Sequence, residues 1–255
     1  MTPSECTLFL HGPGIINLSM LQETLKIVPG KGQPLYRPLR TIRAILITGE
    51  LQQGLPALLV CVRANIPVGF FSMRGELTAL LEPAHFKSEP LADFINELNP
   101  RSPETRLLNY WLQEQQRREY THLGLPAKSR LQQQQIFRQQ IAAWLRQQPI
   151  AKKQWRLARN WLEGLIVFYI RSSLHQCQIE SHTFGCTQLS EGLADILRPV
   201  LLVKLSQLCL QDINSDDSRY LQNGLYKLTT DIPQSLQRLL YTLESEFNRG
   251  VFYGN

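Results

Sequence analysis

Thr41-Ile-Arg-Ala-Ile-Leu-Ile-Thr48 is a run of apolar and β-branched residues interrupted only by Arg43 and ended by Gly49. Its length and composition read as a buried strand, too short for a helix. Working outward, Thr7 to Leu10, Ile15 to Leu18 and Thr24 to Val28 are further short strands, as are Val68 to Ser72 and Leu77 to Leu81. Gly12-Pro13-Gly14 and Pro29-Gly30-Lys31-Gly32 read as hairpin turns. Neither is a phosphate loop, because the spacing of glycines, Lys and Ser/Thr is wrong and no helix follows. Residues 51–64 read as a helix with Leu51, Leu55, Leu58, Leu59 and Val62 on one side. Pro83 closes this β-rich unit. After a polar, Pro-rich connection with a short helix near 91–98, apolar residues recur with helical period at 104–122, 128–147, 151–175, 188–210 and 233–248. The fold class expected is α+β, with a small β-rich N-terminal domain (1–86), a linker (87–103) and an all-α C-terminal domain (104–255).

Composition narrows the function classes. The chain has 255 residues, 43% hydrophobic and 19% charged, enough apolar material for a core and too much for a disordered chain. No run of apolar residues reaches the length of a membrane span, and the N-terminus lacks the pattern of an export signal, so a cytoplasmic protein with no membrane partner is expected. The five cysteines (Cys6, Cys61, Cys177, Cys186, Cys209) form no CxxC pair and no disulfide framework. Cys177, His182 and Cys186 cluster in sequence without matching a closed zinc template, and buried free thiols are the plainer reading.

Charge is distributed unevenly. Between Tyr120 and Leu162 lie Lys128, Arg130, Arg138, Arg146, Lys152, Lys153, Arg156 and Arg159, and no Asp or Glu. A solvated face normally mixes signs to limit self-repulsion, so an acid-free basic stretch points to a polyanion, with nucleic acid the first choice. Trp111, Trp144, Trp155 and Trp161 offer rings for base stacking, although their helical spacing suits core packing.

One pair of chemically active residues stands out. His182 lies in a turn-like segment, and Asp195 lies on the apolar helix that follows it. An acid among Leu193, Ile196 and Leu197 is half-buried and needs a partner. Arg198, three residues on along the same helix, meets that need, and so does a bound cation.

Several segments together resemble the CRISPR-associated spacer integrase family, the adaptation endonucleases. Residues 41–49 resemble the family's strand before a short helix. Ala64-Asn-Ile-Pro-Val-Gly-Phe-Phe-Ser-Met-Arg-Gly75 resembles its strand and turn, and Leu80-Leu-Glu-Pro83 the end of that domain. Ser173 to His182 and Leu189 to Pro199 are similar to the segments that carry the family's metal-binding His and its Asp/Glu–Arg–Pro helix. Asn223-Gly-Leu-Tyr-Lys-Leu228 resembles a small turn-and-strand feature before the last helix.

The resemblance implies a metal-dependent DNA endonuclease/integrase that inserts short spacers into a CRISPR array. It further implies Mg²⁺ or Mn²⁺, double-stranded DNA, a homodimer joined through the β domains, and a small ferredoxin-like partner subunit. It places His182 and Asp195 among the catalytic metal ligands. Glu163, in a Glu-Gly pair, is the third, with Glu114, Glu119 and Glu191 as alternative acids. The family's first acidic position on the Asp195 helix is Gly192 here, and the helical part reads as shortened. A catalytically inactive relative serving as a DNA-binding or assembly subunit is the alternative.

Overall fold

A computed structural model describes residues 6–11, 16–30, 33–82, 90–126, 129–147, 152–211 and 219–253. The chain divides into two compact units, residues 1–86 and 87–255. The β-rich unit followed by a helical unit is the expected fold class.

The first unit contains two four-stranded sheets. Strands β1 (Cys6–His11), β5 (Ile42–Thr48), β7 (Val68–Phe71) and β8 (Leu77–Leu81) form one, in the order β1-β5-β7-β8. Strands β4 (Leu35–Pro38), β3 (Thr24–Pro29), β2 (Ile16–Leu21) and β6 (Leu51–Gln53) form the other, in that order. β5 runs parallel to both its neighbours and is buried on both faces from Ala44 on, which is what the apolar run after Arg43 encodes. Leu10, Ile16, Leu25, Ile45 and Ile47 join Leu58 and Cys61 of helix α1 (Leu55–Arg63) in one apolar core. Burial pushes the Cys61 thiol up to about 11, so it packs as a hydrophobe and not as a nucleophile.

Three expectations for this unit are corrected. Gly12-Pro13-Gly14 lies outside the described residues, but the strands flanking it belong to different sheets, so it does not close a hairpin. β2 instead forms a hairpin with β3, turned at Gln22 and Glu23 with Gln22 at φ 55°, while β3 and β4, on either side of Pro29-Gly30-Lys31-Gly32, pair antiparallel as expected. The helix expected from residue 51 begins at Leu55: residues 51–53 pair in parallel with β2, and Gly54, at φ 143°, turns the chain into α1. β4, with all four residues exposed, carries no alternation by which to read it as a strand.

The second unit is helical: α2 (Pro90–Glu97), α3 (Pro103–His122), α4 (Arg130–Gln147), α5 (Lys152–Gln176), α6 (Phe184–Gln211) and α7 (Arg219–Asn248). Helix α6 is the hub, meeting α2, α3, α5 and α7. Ser102 caps α3, its hydroxyl accepting from the Thr105 amide at 3.1 Å, with Pro103 in the first turn. Residues 223–228, expected as a turn and strand, are helical. α7 runs through both Gly224 and Pro233, because a helix held by packing tolerates one missing amide and one missing side chain. Its inward side chains Leu225, Leu228, Ile232, Leu236, Leu239 and Leu243 are all buried.

Close approach of helices fixes two glycines. A Cβ on Gly185 would collide with the backbone carbonyl of Ile95 in α2, and one on Gly192 would collide with the side chain of Leu112 in α3. A carbonyl held in a helix cannot rotate aside, whereas a leucine can. Gly185→Ala is therefore expected to lower stability by about 2–3 kcal/mol, and Gly192→Ala by clearly less. Urea midpoints of the two variants test this; equal losses would contradict the packing described.

Candidate functional site

The centre of the helical unit is an ion-pair cluster. Arg198, on α6, donates from Nε to both carboxylate oxygens of Glu163 on α5, at 2.9 and 3.0 Å, and from Nη1 to Oδ1 of Asp195 at 2.7 Å. All three side chains are about one-third exposed, at 36%, 30% and 34%. Burial pulls the Arg198 pKa down, but the hydrogen bonds and charges of Glu163 and Asp195 outweigh it and leave it above its ordinary value. The cluster carries two negative charges and one positive.

The backbone around it is held from α3. Pro199 interrupts α6 and has no N–H, so the carbonyl of Asp195, four residues earlier, loses its helical partner. Gln116, buried in α3, supplies the replacement: its Nε2 donates to that carbonyl at 2.9 Å. A buried carbonyl left without a partner costs about 1–3 kcal/mol, and this bond removes that cost while tying α3 to α6 one turn before Pro199.

The structure brings Glu163 and Asp195 together and leaves His182 elsewhere. His182 precedes α6, 79% exposed, with Nε2 3.2 Å from Glu180. Asp195 lies three turns into α6, about 16 Å along the axis from Phe184 at 1.5 Å per residue. The His segment is fixed in place. Asn96 of α2 donates from Nδ2 to the Gln178 carbonyl at 3.2 Å and accepts from the Glu180 amide at 2.8 Å. The Thr183 hydroxyl then accepts from the Cys186 amide at 3.2 Å, capping α6.

The alternative acids are also committed or remote. Glu114 accepts from Arg117 at 2.9 Å and from Arg118 at 3.4 Å, and the Arg117 bond holds its carboxyl below the usual range. Glu119 accepts from Arg238 at 3.2 Å. Glu191 is exposed and lines a small polar cleft between α3 and α6 with Asn109, Gln113, Gln116 and Gln188. That carboxamide stripe went unread in the sequence, although Asn109, Gln113 and Gln116 recur at helical spacing.

Among the described residues, no group of three or more His, Cys, Asp or Glu side chains is arranged to hold a metal ion, whether for the expected Mg²⁺/Mn²⁺ or for zinc at Cys177–His182–Cys186. The donor set explains why the hard cation does not fit. Mg²⁺ and Mn²⁺ need several oxygen ligands at once, and the two adjacent carboxylates already receive three hydrogen bonds from a guanidinium that a cation would have to displace.

The basic stretch forms α4 and the first turns of α5. Arg138, Arg146, Arg156 and Arg159 are exposed. Lys128 lies outside the described residues, as do the side chains of Arg130, Lys152 and Lys153. Trp144 and Trp155 join the two helices, ring centroids 5.7 Å apart. Trp111 and Trp161 are buried core residues, and Trp155, also largely buried, packs on Trp144. No helix among the described residues is long and apolar enough to cross a membrane.

Comparison with known proteins shows what the chain is similar to. Residues 9–93 match the family model for CRISPR associated protein Cas1. The fold is similar to that of a CAS1 protein from Thermotoga maritima, with a TM-score of 0.70 and 12% identity, covering 94% of this chain and 96% of that one. It is also similar to a casposase bound to integration product (TM-score 0.61, 12% identity, 88% and 82% covered). A Cas6-RT-Cas1–Cas2 complex matches at TM-score 0.57 and 12% identity, covering 95% of this chain and 35% of that one. No curated protein matches by sequence. The near-complete coverage of both chains in the first comparison puts the divergence in the residues more than in lost helices. The chain thus matches the Cas1 family model over residues 9–93 and shares the fold of a Cas1 protein along almost its whole length.

Proposed function

We propose that this chain serves CRISPR adaptation as a DNA-binding and assembly subunit of Cas1 fold that does not itself carry out strand transfer. The observation that carries this reading is the Arg198 clamp: the two carboxylates best placed for a metal are both engaged by one guanidinium, and the expected histidine lies three helical turns away. Duplex backbone lies along the exposed arginines of α4 and α5, bound through phosphates without reading sequence. The β-rich unit joins two copies, and a small ferredoxin-like subunit bridges them, as in the sequence expectation.

One observation favours the catalytic reading instead. The thirteen-residue separation of His182 and Asp195, with Arg198-Pro199 after it, is nearly that of the family segments it resembles. In that reading His182, Asp195 and Glu163 form a Mg²⁺- or Mn²⁺-dependent centre. The two are separated by strand transfer of a labelled short duplex into supercoiled plasmid, with and without Mn²⁺, for wild type and His182→Ala. The expected result is salt-sensitive duplex binding, equal in both proteins, and no joining or cutting with either metal. Mn²⁺-dependent integration that His182→Ala abolishes would overturn the proposal and establish the integrase.

A further inference from the structure

Helices α3, α4, α5 and α6 enclose a cavity of about 400 Å³, within the range of small-molecule sites. Its apolar lining is aromatic and aliphatic: Tyr120, Phe137, Ile141, Trp155 and Leu202. Tyr120 and Phe137 pack with ring centroids 5.8 Å apart, and Trp155 is buried against Trp144. The polar lining is asymmetric. Arg138 of α4 and Arg159 of α5 contribute two positive charges, and neither has an acidic partner among the described residues. Both line the same cavity as Phe137 and Trp155. On α6, by contrast, Asp195 and Arg198 line the cavity as part of the cluster with Glu163, whose net charge is negative.

A ligand complementary to this cavity is planar and aromatic, carries an anionic group for the two arginines, and presents hydrogen-bond donors to a carboxylate. We propose that the cavity binds a single amine-bearing nucleotide: the base lies against Phe137 and Trp155, the phosphate meets Arg138 and Arg159, and the exocyclic amine faces Asp195. Such a nucleotide comes from the free pool or from the end of a DNA strand. The inference rests on the reading that Arg198, not a cation, engages Glu163 and Asp195.

The test is calorimetric titration of the full chain in EDTA with 5′-AMP, 5′-CMP, 5′-UMP, adenosine and inorganic phosphate. AMP and CMP are expected to bind saturably, and UMP, adenosine and phosphate at least tenfold more weakly. Ala142, exposed at the cavity wall, permits a filling substitution that leaves charge unchanged. Ala142→Trp should weaken AMP at least tenfold while duplex affinity stays within twofold, and Arg159→Gln should weaken AMP similarly. Absence of saturable binding up to millimolar nucleotide overturns the proposal, as does an affinity that Ala142→Trp leaves untouched. Competition then separates the sources. Displacement of AMP by a linear single strand but not by its circular form assigns a strand end, and displacement by neither assigns the free nucleotide. Equal displacement by both overturns the pocket, since a continuous backbone brings no single charged terminus into it. Because EDTA removes any metal chemistry, failure here leaves the strand-transfer result standing, and the reverse also holds.

Discussion

Replacing Arg198 with leucine is expected to lower the stability of the helical unit by about 2–3 kcal/mol and to give the protein a divalent-cation response stronger than that of wild type. Removing one member of a fully buried ion pair costs about 3–5 kcal/mol, because the partner charge stays behind without compensation. Here two carboxylates stay behind on adjacent helices, which raises the cost, and all three groups are about one-third exposed, which lowers it through solvent screening. The loss is read from urea midpoints. The gain follows from the same geometry: without the guanidinium, Glu163 and Asp195 become two neighbouring oxygen donors of like charge, an arrangement that a cation relieves. Mn²⁺ at a hundredfold excess over its dissociation constant stabilises a folded state by about 2.7 kcal/mol. The melting temperature of Arg198→Leu should therefore rise with Mn²⁺, and adding Glu163→Gln to that variant should remove most of the rise. An equal Mn²⁺-dependent rise in wild type would show that Arg198 does not exclude the cation.

How much of this was legible in sequence depends on where each partner lies along the chain. β5 is readable because burial on both faces shows as consecutive apolar residues, Ala44 to Ile47, ended by Thr48 and Gly49. The β2–β3 hairpin is not, because Gln22 takes a left-handed conformation without glycine or proline to announce it. α7 is readable only in its second half, since Gly224 and Pro233 look like breakers until the packing that overrides them is known. In the site, the Asp195–Arg198 pair is local, three residues apart on one helix, and was one of two readings open from sequence. The Glu163–Arg198 bond, which favours the ion-pair reading, spans 35 residues and follows from no local spacing. Gln116 is harder still. Its role exists because α3 crosses α6 where Pro199 leaves a carbonyl unpaired, and no spacing rule connects residues 116 and 195. The replacement of a family acid by Gly192 is visible as a departure, but its consequence is structural: Leu112 packs where a side chain at 192 would begin.

The other large effect belongs to the basic stretch. Changing Arg138, Arg146, Arg156 and Arg159 together to glutamine is expected to weaken duplex binding on the order of 10²–10³-fold at low salt. It should also reduce the slope of log affinity against log salt by roughly 3–4, as about 0.9 counterion is released per phosphate neutralised. The effect should be nearly uniform across unrelated duplex sequences, because exposed arginines on two helices meet phosphates, not base edges. Folding provides the control. The described part of this region, from Tyr120 through Leu162, holds no carboxylate to balance its arginines, so removing four positive charges relieves repulsion. The variant should therefore melt at the wild-type temperature or above it while binding far less DNA, measured by fluorescence anisotropy at two or more salt concentrations. A basic surface with no polyanionic partner predicts the opposite pattern, with stability shifted and duplex affinity unchanged. A loss of affinity with an unaltered salt slope would argue that the arginines act through the fold and not through phosphate contacts.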